Sequence, residues 1–308
     1  MNLSSPAYHL PPAVGLLRLA GPDRISFLQR QTTNDVRPIS TAHAVTTVLT
    51  SPTARILDVL QLFDENDILH ILSLHPETTY TYLRRRIFFN DQVTLTNATA
   101  DALILDLEGE HAADWLRAQG FDPPPLEGTV TGTLVGSPVR MLGQPGLKGI
   151  GYRMIAPAGT PLIAHLQTVG LSALSPEEYE ICRVEAGLPA PGHELTEDYT
   201  PHETNLAAWI SETKGCYTGQ EILARQVTYD KITRHLAGLQ LDAPVLPGAN
   251  VLADGKSAGS LTSVVVSPRF GPIALAILKR PSHEPGTEVV IETESGPVNA
   301  KVVSFPFL

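Results

Sequence analysis

The segment SETKGCYTGQEILARQV, residues 211–227, concentrates residue types that could do chemistry. Lys214 precedes Cys216 by two positions, and Thr218 and Glu221 follow with the spacing of a capping box. We therefore expect a helix to begin just after the cysteine. A helix N-terminus and a nearby ammonium group both stabilise a thiolate and lower the pKa of the thiol. From spacing alone, a reactive cysteine and a structural one remain equally open.

The other cysteine lies in a second predicted helix. Ser175 and Glu178 form a capping box, and the pattern predicts a helix that runs to about Ala186. Cys182 then shares a face with Ala186, which favours a packed core thiol. Glu185 falls near the helix C-terminus, where the macrodipole does not favour a carboxylate. Whether Glu185 is a solvated side chain or a functional one is open at this point.

A group of possible metal ligands lies between these two helices. The group comprises His193, Glu194, Asp198, His202 and Glu203. Prolines and a glycine interrupt the segment, and it has no histidine pair at helical spacing. With only two cysteines in the chain, a tetrahedral zinc or iron–sulfur site has too few ligands. We expect a solvated loop and no stably bound metal.

Composition places the chain among globular proteins and excludes several function classes. The 308 residues are 43% hydrophobic and 18% charged, with a formal net charge of -10. This charge argues against direct nucleic-acid binding through a broad basic face. No window is apolar enough for a membrane span, and the N-terminus lacks a signal-peptide pattern. Two cysteines without a CxxC pair indicate a reduced compartment, so we expect a cytoplasmic protein.

The pattern of elements changes near residue 235. Before it, helical and strand-like runs alternate, and a proline-rich stretch at 122–125 indicates a linker or stiff loop. After it, five short strand-like runs with turn signals predict a small barrel or sandwich. We expect an N-terminal α/β region, a second α/β region with the cysteine motif, and a C-terminal β-barrel. Their predicted bounds are 1–122, 123–235 and 236–308.

The octapeptide KGCYTGQE, residues 214–221, closely resembles the signature of the YgfZ family. Members of this family are folate-binding proteins of iron–sulfur cluster assembly and maintenance, related to the glycine-cleavage T-protein, an aminomethyltransferase. Other stretches extend the resemblance over nearly the whole chain. These stretches are residues 21–24, 27–29, 31–36, 183–189, 201–203, 259–263 and 273–276.

The resemblance implies an α+β fold, a T-protein-like ring of three domains with a C-terminal antiparallel β-barrel around a folate channel. It implies tetrahydrofolate or a derivative as cofactor, with Glu185 on the channel wall holding the pterin ring. Cys216 and Lys214 become the candidate catalytic residues. The expected partners are iron–sulfur enzymes, including tRNA-modifying ones, or cluster carrier proteins. The further candidate cofactor-binding residues are Tyr217, Gly219, Gln220 and Arg225.

One departure argues against the T-protein reaction. T-proteins place an Asp beside the reacting folate nitrogen, but no Asp occurs near Thr78 or Thr79, and Glu77 adjoins a proline. Folate-dependent aminomethyl transfer therefore stands as the alternative function. A third hypothesis is a cysteine hydrolase or acyl transferase, in which a nearby histidine activates Cys216. The histidines near it in sequence are His193, His202 and His235.

Overall fold

A computed structural model describes residues 3–307. Helices and strands alternate as far as residue 228, and strands joined by turns follow from residue 234. The elements of the first part are β1 (Ala7–His9), β2 (Gly15–Ala20), α1 (Arg24–Gln31), β3 (Val45–Thr50), β4 (Ile56–Glu65), β5 (Ile68–Ser73), α2 (Pro76–Arg84), β6 (Thr94–Asn97), β7 (Ala102–Glu108), α3 (Ala112–Ala118), β8 (Thr129–Leu134), β9 (Ser137–Gly146), β10 (Gly149–Pro157), α4 (Leu162–Thr168), β11 (Ser172–Ala173), α5 (Pro176–Ala186) and α6 (Gln220–Thr228).

An antiparallel sheet of five strands forms the first layer. Its strand order is β3-β4-β5-β2-β6, so β2 lies between two strands that follow it in the chain. Apolar residues alternate along these strands and face α1 and α2, which contribute Phe27, Leu28 and Leu83 to the shared core. Burial of this face supplies the main driving force for the layer.

A second sheet has six strands in the order β11-β1-β7-β10-β9-β8. The β1–β11 pair is parallel and the remaining pairs are antiparallel. Strands from both sides of position 122 share this sheet, because β1 and β7 pair with β11 and β10. The domain boundaries deduced from the sequence stay a prediction.

The C-terminal strands close into an antiparallel barrel of six strands. Small and branched apolar side chains fill its interior, including Leu239, Val251 and Ile291. The expected α+β fold with a C-terminal antiparallel barrel is confirmed. The barrel strands are β12 (Arg234–Leu241), β13 (Asn250–Ala253), β14 (Lys256–Ser267), β15 (Gly271–Lys279), β16 (Glu288–Ile291) and β17 (Val298–Val303).

Helix α5 forms as its sequence predicts. The side chains of Ser175 and Glu178 both make the reciprocal capping-box bonds, and Gly187 ends the helix in the left-handed conformation with a φ of 70°. Cys182 is buried against Leu147 and Leu174, so its predicted role as a core thiol is confirmed. No helix between residues 3 and 307 has the length and hydropathy that a membrane span requires.

Helix α6 begins differently from the prediction. Its N-cap is Gly219, not Thr218, and no side chain caps the helix. Gly219 has a φ of 86°, and a Cβ there would come 2.9 Å from the carbonyl oxygen of Ser51. The left-handed turn and the close backbone approach require glycine at this position, which moves the helix start beyond Thr218.

The buried Arg183 joins helix α5 to the barrel. Its guanidinium donates to Ser263 Oγ of β14 at 2.7 Å and pairs with Glu194 at 3.4 Å. Glu194 is fully buried and also accepts hydrogen bonds from the hydroxyl groups of Thr262 and Ser263. A solvated loop was expected here, and that prediction is wrong for Glu194 because the carboxylate neutralises the buried guanidinium.

Removing Glu194 should strongly destabilise the fold, because it takes away one of the two carboxylates that pair with the buried Arg183 and the acceptor for the hydroxyl groups of Thr262 and Ser263. We expect Glu194→Ala to lower the free energy of unfolding by about 3–5 kcal/mol in urea titrations. The exposed Glu197 of the same loop provides a matched control, whose change to Ala should cost no more than about 0.5 kcal/mol. Equal losses in the two variants would contradict the proposed role of this pair.

Candidate functional site

A cavity of about 420 Å³ lies between the two sheets and α5. Its walls include several prolines together with Tyr179 and Trp209, which give it broad apolar surfaces. Polar side chains reach it from both sheets and from the helix. They include His9, Gln61, Asp106, Glu108, Arg153 and Glu180.

A buried ion pair of the second sheet is hydrogen-bonded to the first sheet at this cavity. Arg153 of β10 donates two hydrogen bonds of 2.8 Å each to the carboxylate of Asp106 on β7. The same guanidinium donates to the side-chain oxygen of Gln61 on β4 at 2.6 Å. Gln61 in turn donates to Gln144. Because the ion pair and both amides are buried, this chain of hydrogen bonds holds the sheets in one relative position.

The carboxyl group of Glu108 is packed into the same wall. The backbone N–H of Leu147 donates to its Oε2 at 2.9 Å. Gly146 and Gly151 lie against the two oxygens, where a Cβ would come within 2.7 Å and 2.8 Å of them. Burial, and to a smaller extent the charge of Asp106, raise the pKa of Glu108 to about 8. The carboxyl group is therefore mostly neutral at pH 7.

Helix α5 supplies an aromatic ring and a second ion pair. Tyr179 stacks on His9 with ring centroids 3.7 Å apart. Burial raises the pKa of the Tyr179 phenol and lowers the pKa of His9, so both rings are neutral near pH 7. Glu180, the next residue, uses both carboxylate oxygens to pair with Arg183, which lies one turn further along the helix. This wall thus combines a flat apolar surface with fixed charges.

Glu185 lies on the other side of the helix from these residues. Its buried carboxylate accepts a hydrogen bond of 2.6 Å from Ser267 Oγ and approaches Arg269 at 3.5 Å. Glu185 is not among the residues that line this cavity, and its expected place on a folate channel wall stays a prediction. Glu185 follows Glu180 by five residues, so the two side chains leave the helix in different directions. Glu185 points away from the cavity and toward the barrel. Pterin binding by Glu185 stays a prediction.

The cysteine motif forms a loop outside this cavity. Cys216 is exposed and is not among the residues that line the cavity. Lys214 turns inward, and its ammonium group donates to the carbonyl oxygens of Thr32 and Asn34 at 2.7 Å and 2.5 Å. Burial lowers the pKa of Lys214 to about 8. The lysine therefore anchors the loop to the segment that follows α1, and a catalytic role for it stays a prediction.

The remaining motif residues also lie away from the cavity lining. The Tyr217 ring is 5.2 Å from the Lys214 ammonium group, and Thr50 donates to the backbone oxygen of Thr218. Gln220 is half-buried and Arg225 is exposed on α6. The structure keeps the motif together but does not join it to the polar cluster of the cavity. The predicted cofactor roles of Tyr217, Gly219, Gln220 and Arg225 stay untested.

The turn between β5 and α2 contributes Leu74 to the cavity but no carboxylate. Glu77 accepts a hydrogen bond from Asn97 on an exposed surface. Asp58 beneath the turn is buried and accepts hydrogen bonds of 2.5 Å from Ser73 and Thr79. Burial raises the pKa of Asp58. A lone acid within an apolar strand is the sequence signal that could have identified Asp58 as buried.

Two of the three histidines proposed as bases for Cys216, His193 and His235, have other partners. His193 contacts the carbonyl oxygen of Thr262, and His235 stacks on His283. Glu203, in the segment expected to be solvated, is buried and pairs with Arg234 of the barrel. Residues 3–307 contain no cluster of three His, Cys, Asp or Glu side chains placed to hold a metal ion.

The comparisons with known proteins agree with this architecture. The profile of the glycine cleavage T-protein C-terminal barrel domain matches residues 234–308. A putative chloroplastic transferase of Arabidopsis thaliana is 30% identical over 96% of this chain and 69% of its own length. The chain belongs to the T-protein-like aminomethyltransferase family.

Other members of the T-protein-like family align over a similar span. Aminomethyltransferases of Bacillus velezensis and Moorella thermoacetica are each 27% identical over 96% of this chain and 84% of their own lengths. The crystal structure of glycine cleavage system aminomethyltransferase T from Bartonella henselae superposes with a TM-score of 0.87 at 20% identity. That superposition covers 99% of this chain and 87% of the other. The shared fold therefore extends beyond the barrel to both sheets.

The two cysteines should differ sharply in reactivity. Cys216 is exposed, whereas Cys182 is buried and burial raises the pKa of its thiol. We expect Cys216 in the Cys182→Ser variant to be alkylated at least about tenfold faster than Cys182 in the Cys216→Ser variant, since a buried thiol must await local opening. Iodoacetamide labelling from pH 6 to 9 measures both rates. Equal rates would overturn this expectation.

The raised pKa of Glu108 makes the stability of the protein depend on pH. The folded pKa of about 8 lies above the ordinary value of 4.5, so the neutral carboxyl group favours the folded state at low pH. That contribution is complete below about pH 4.5 and is lost as the pH rises through 8, with a slope of at most about 1.4 kcal/mol per pH unit.

Replacing Glu108 by glutamine should remove this contribution. We expect the free energy of unfolding of Glu108→Gln, measured in urea at pH 5 and pH 8.5, to fall less with pH than that of the wild type. The exposed Glu110, two residues along the chain, gives a control in Glu110→Gln that keeps the wild-type slope. Parallel curves for the wild type and Glu108→Gln would show that the carboxyl group is already ionised at pH 5.

Proposed function

We propose that this chain is a tetrahydrofolate-binding protein that supports the assembly or repair of iron–sulfur enzymes, including tRNA-modifying ones. The observation that carries the proposal is the separation of its two candidate sites. A ligand-sized cavity lies between the sheets, while Cys216 of the octapeptide stands exposed on a different part of the surface. In this arrangement the folate stays inside the protein and the thiol is free to meet a partner.

The cavity has the properties that a folate site needs. Its volume falls in the range of small-molecule sites, and the prolines with Tyr179 and Trp209 offer apolar surfaces for flat rings. The neutral carboxyl group of Glu108 and the carboxylate of Glu180 can both hydrogen-bond the polar edge of a pterin. Arg183 lies beside them. The bound folate would supply one-carbon or redox chemistry at the pterin ring.

The assignment of Glu185 to the pterin rests on the resemblance alone. To reach a ligand in the cavity, its carboxylate would have to leave Ser267 and Arg269. Breaking these buried contacts costs free energy that binding would have to restore. We therefore assign the first contact with the ligand to the carboxyl groups that already line the cavity.

Aminomethyl transfer is the second candidate function, and the relatives favour it. Those of Bacillus velezensis and Moorella thermoacetica are named aminomethyltransferases and align over 96% of this chain. Against it, the β5–α2 turn brings no carboxylate to the cavity. Turnover of an aminomethyl donor by the purified protein with tetrahydrofolate would establish this candidate.

The proposed partners are iron–sulfur enzymes or cluster carrier proteins, and the proposed compartment is the cytoplasm. The net charge of -10 argues against direct nucleic-acid binding, so a role in tRNA modification would run through a client enzyme. One exposed thiol per chain cannot supply the usual four cluster ligands. A cluster would therefore be shared with a partner and not kept by this protein.

Deletion of the gene tests the proposal. Cluster-containing dehydratases and tRNA-thiolating enzymes should lose activity in the deletion strain, most severely under oxidative stress, and the wild-type gene should restore it. Cys216→Ala should restore it poorly, while the buried-site control Cys182→Ala should restore it well. Full rescue by Cys216→Ala would assign the octapeptide a structural role, and unchanged enzyme activities in the deletion strain would refute the iron–sulfur function.

A further inference from the structure

Glu108 has an unused hydrogen-bonding atom inside the cavity. The residue is only 3% exposed, and its Oε2 accepts the backbone N–H of Leu147. Its Oε1 has no hydrogen-bond partner among residues 3–307. Glu108 lines the cavity, and Oε1 is not among the fully buried unpaired side-chain atoms of residues 3–307, so this oxygen is accessible from the cavity and can meet a ligand atom.

The surroundings of Glu108 decide which form of the carboxyl group is present. The nearest cation, Arg153, already makes two hydrogen bonds with Asp106. Glu108 is thus left beside a second carboxylate without a cation of its own, and ionisation would place an unpaired charge in the interior. The neutral acid is the stable form at neutral pH, in line with its raised pKa.

The position of the proton follows from the contact with Leu147. Because Oε2 accepts that backbone N–H, it acts as the carbonyl oxygen, and Oε1 carries the hydroxyl hydrogen. Gly146 borders Oε2 and Gly151 borders Oε1, and this close packing restricts the orientation of the carboxyl group. The cavity therefore presents a fixed hydrogen-bond donor from Glu108.

We propose that Glu108, as a neutral carboxylic acid, recognises the bound ligand by donating a hydrogen bond from Oε1 to an acceptor atom, a ring nitrogen or lactam carbonyl of a heterocycle such as the pterin. This inference rests on the proposed folate site. It makes Glu108 a specificity-determining residue that selects a heterocycle edge with an acceptor and discriminates against ligands that offer only N–H groups at that point.

Binding should weaken as the pH rises through about 8, because the ionised carboxylate can no longer donate. The other groups facing Glu108 come from β1, β10, α5 and its own strand β7, while β9 adds uncharged side chains and Lys148 in the following turn is exposed. Those charged or titratable groups are His9, Asp106, Arg153, Tyr179, Glu180 and Arg183, and the segment after α5 adds His193 to the cavity lining.

Calorimetric titration with 5-formyltetrahydrofolate, a stable reduced folate, tests the proposal between pH 6 and 9.5. Wild-type affinity should fall about tenfold for each pH unit above about 8. Glu108→Gln should keep its affinity across this range, since the amide N–H donates where the hydroxyl did. Glu108→Ala should bind about tenfold more weakly than the wild type at pH 6. Glu110→Gln, changed on the surface, should follow the wild-type pH profile.

A second measurement uses the unaltered protein. Titrations in two buffers with different ionisation enthalpies should show proton uptake approaching one per ligand at pH 9, and almost none at pH 6. Absence of uptake at pH 9, or a pH profile of Glu108→Gln identical to the wild type, would overturn the role of Glu108 while leaving the folate site intact. Failure of the wild-type protein to bind the folate at any pH would instead overturn the proposed function.

Discussion

The buried guanidinium of Arg183 is the contact on which the arrangement of the site depends. It reaches Glu180 on its own helix, Glu194 in the following segment and Ser263 of the barrel. A charge in this position is tolerated because its hydrogen-bonding capacity is met by oxygen atoms from three parts of the chain. As a result, α5 has one orientation relative to the barrel, and the face that carries Tyr179, Glu180 and Arg183 becomes a cavity wall.

The cavity then derives its chemistry from an uneven distribution of charge. Arg183 pairs with Glu180 and Glu194, and Arg153 pairs with Asp106, so both guanidinium groups already have carboxylate partners. Glu108 is the carboxyl group left over, and the protein accommodates it by protonation. Such a wall offers a neutral ligand directional hydrogen bonds and an aromatic surface without an excess of charge. Those features suit a flat, polar-edged heterocycle better than a strongly charged substrate.

The sequence predicts local features of this fold well. The α5 capping box, the core position of Cys182 and most barrel strands depend on spacing within a few residues, and each is found in the structure. The cluster of polar side chains that lines the cavity does not depend on such short spacing. His9, Asp106 and Arg153 meet because β1, β7 and β10 are neighbours in one sheet, although they are far apart in the chain. No local pattern encodes that pairing.

The surroundings of several predicted residues depend on contacts of the same long-range kind. The sequence suggests that Lys214 is a cation beside the thiol. In the structure its ammonium group is buried, because it donates to carbonyl oxygens about 180 residues away in the chain. Glu194 and Glu203 read as loop carboxylates, but arginines from another helix and from the barrel bury them. Glu185 sits at the predicted helix end, yet its direction depends on Ser267 of the barrel. Tertiary contacts decide each case.

The central claim is that the ligand binds between the two sheets and α5, apart from Cys216. A crystal structure of the protein with 5-formyltetrahydrofolate tests it most directly. We predict that the pterin ring lies in the cavity, that one of its acceptor atoms is hydrogen-bonded to Glu108, and that Cys216 is still exposed. A ligand bound against the octapeptide, or against Glu185 and Ser267 with the cavity empty, would contradict it.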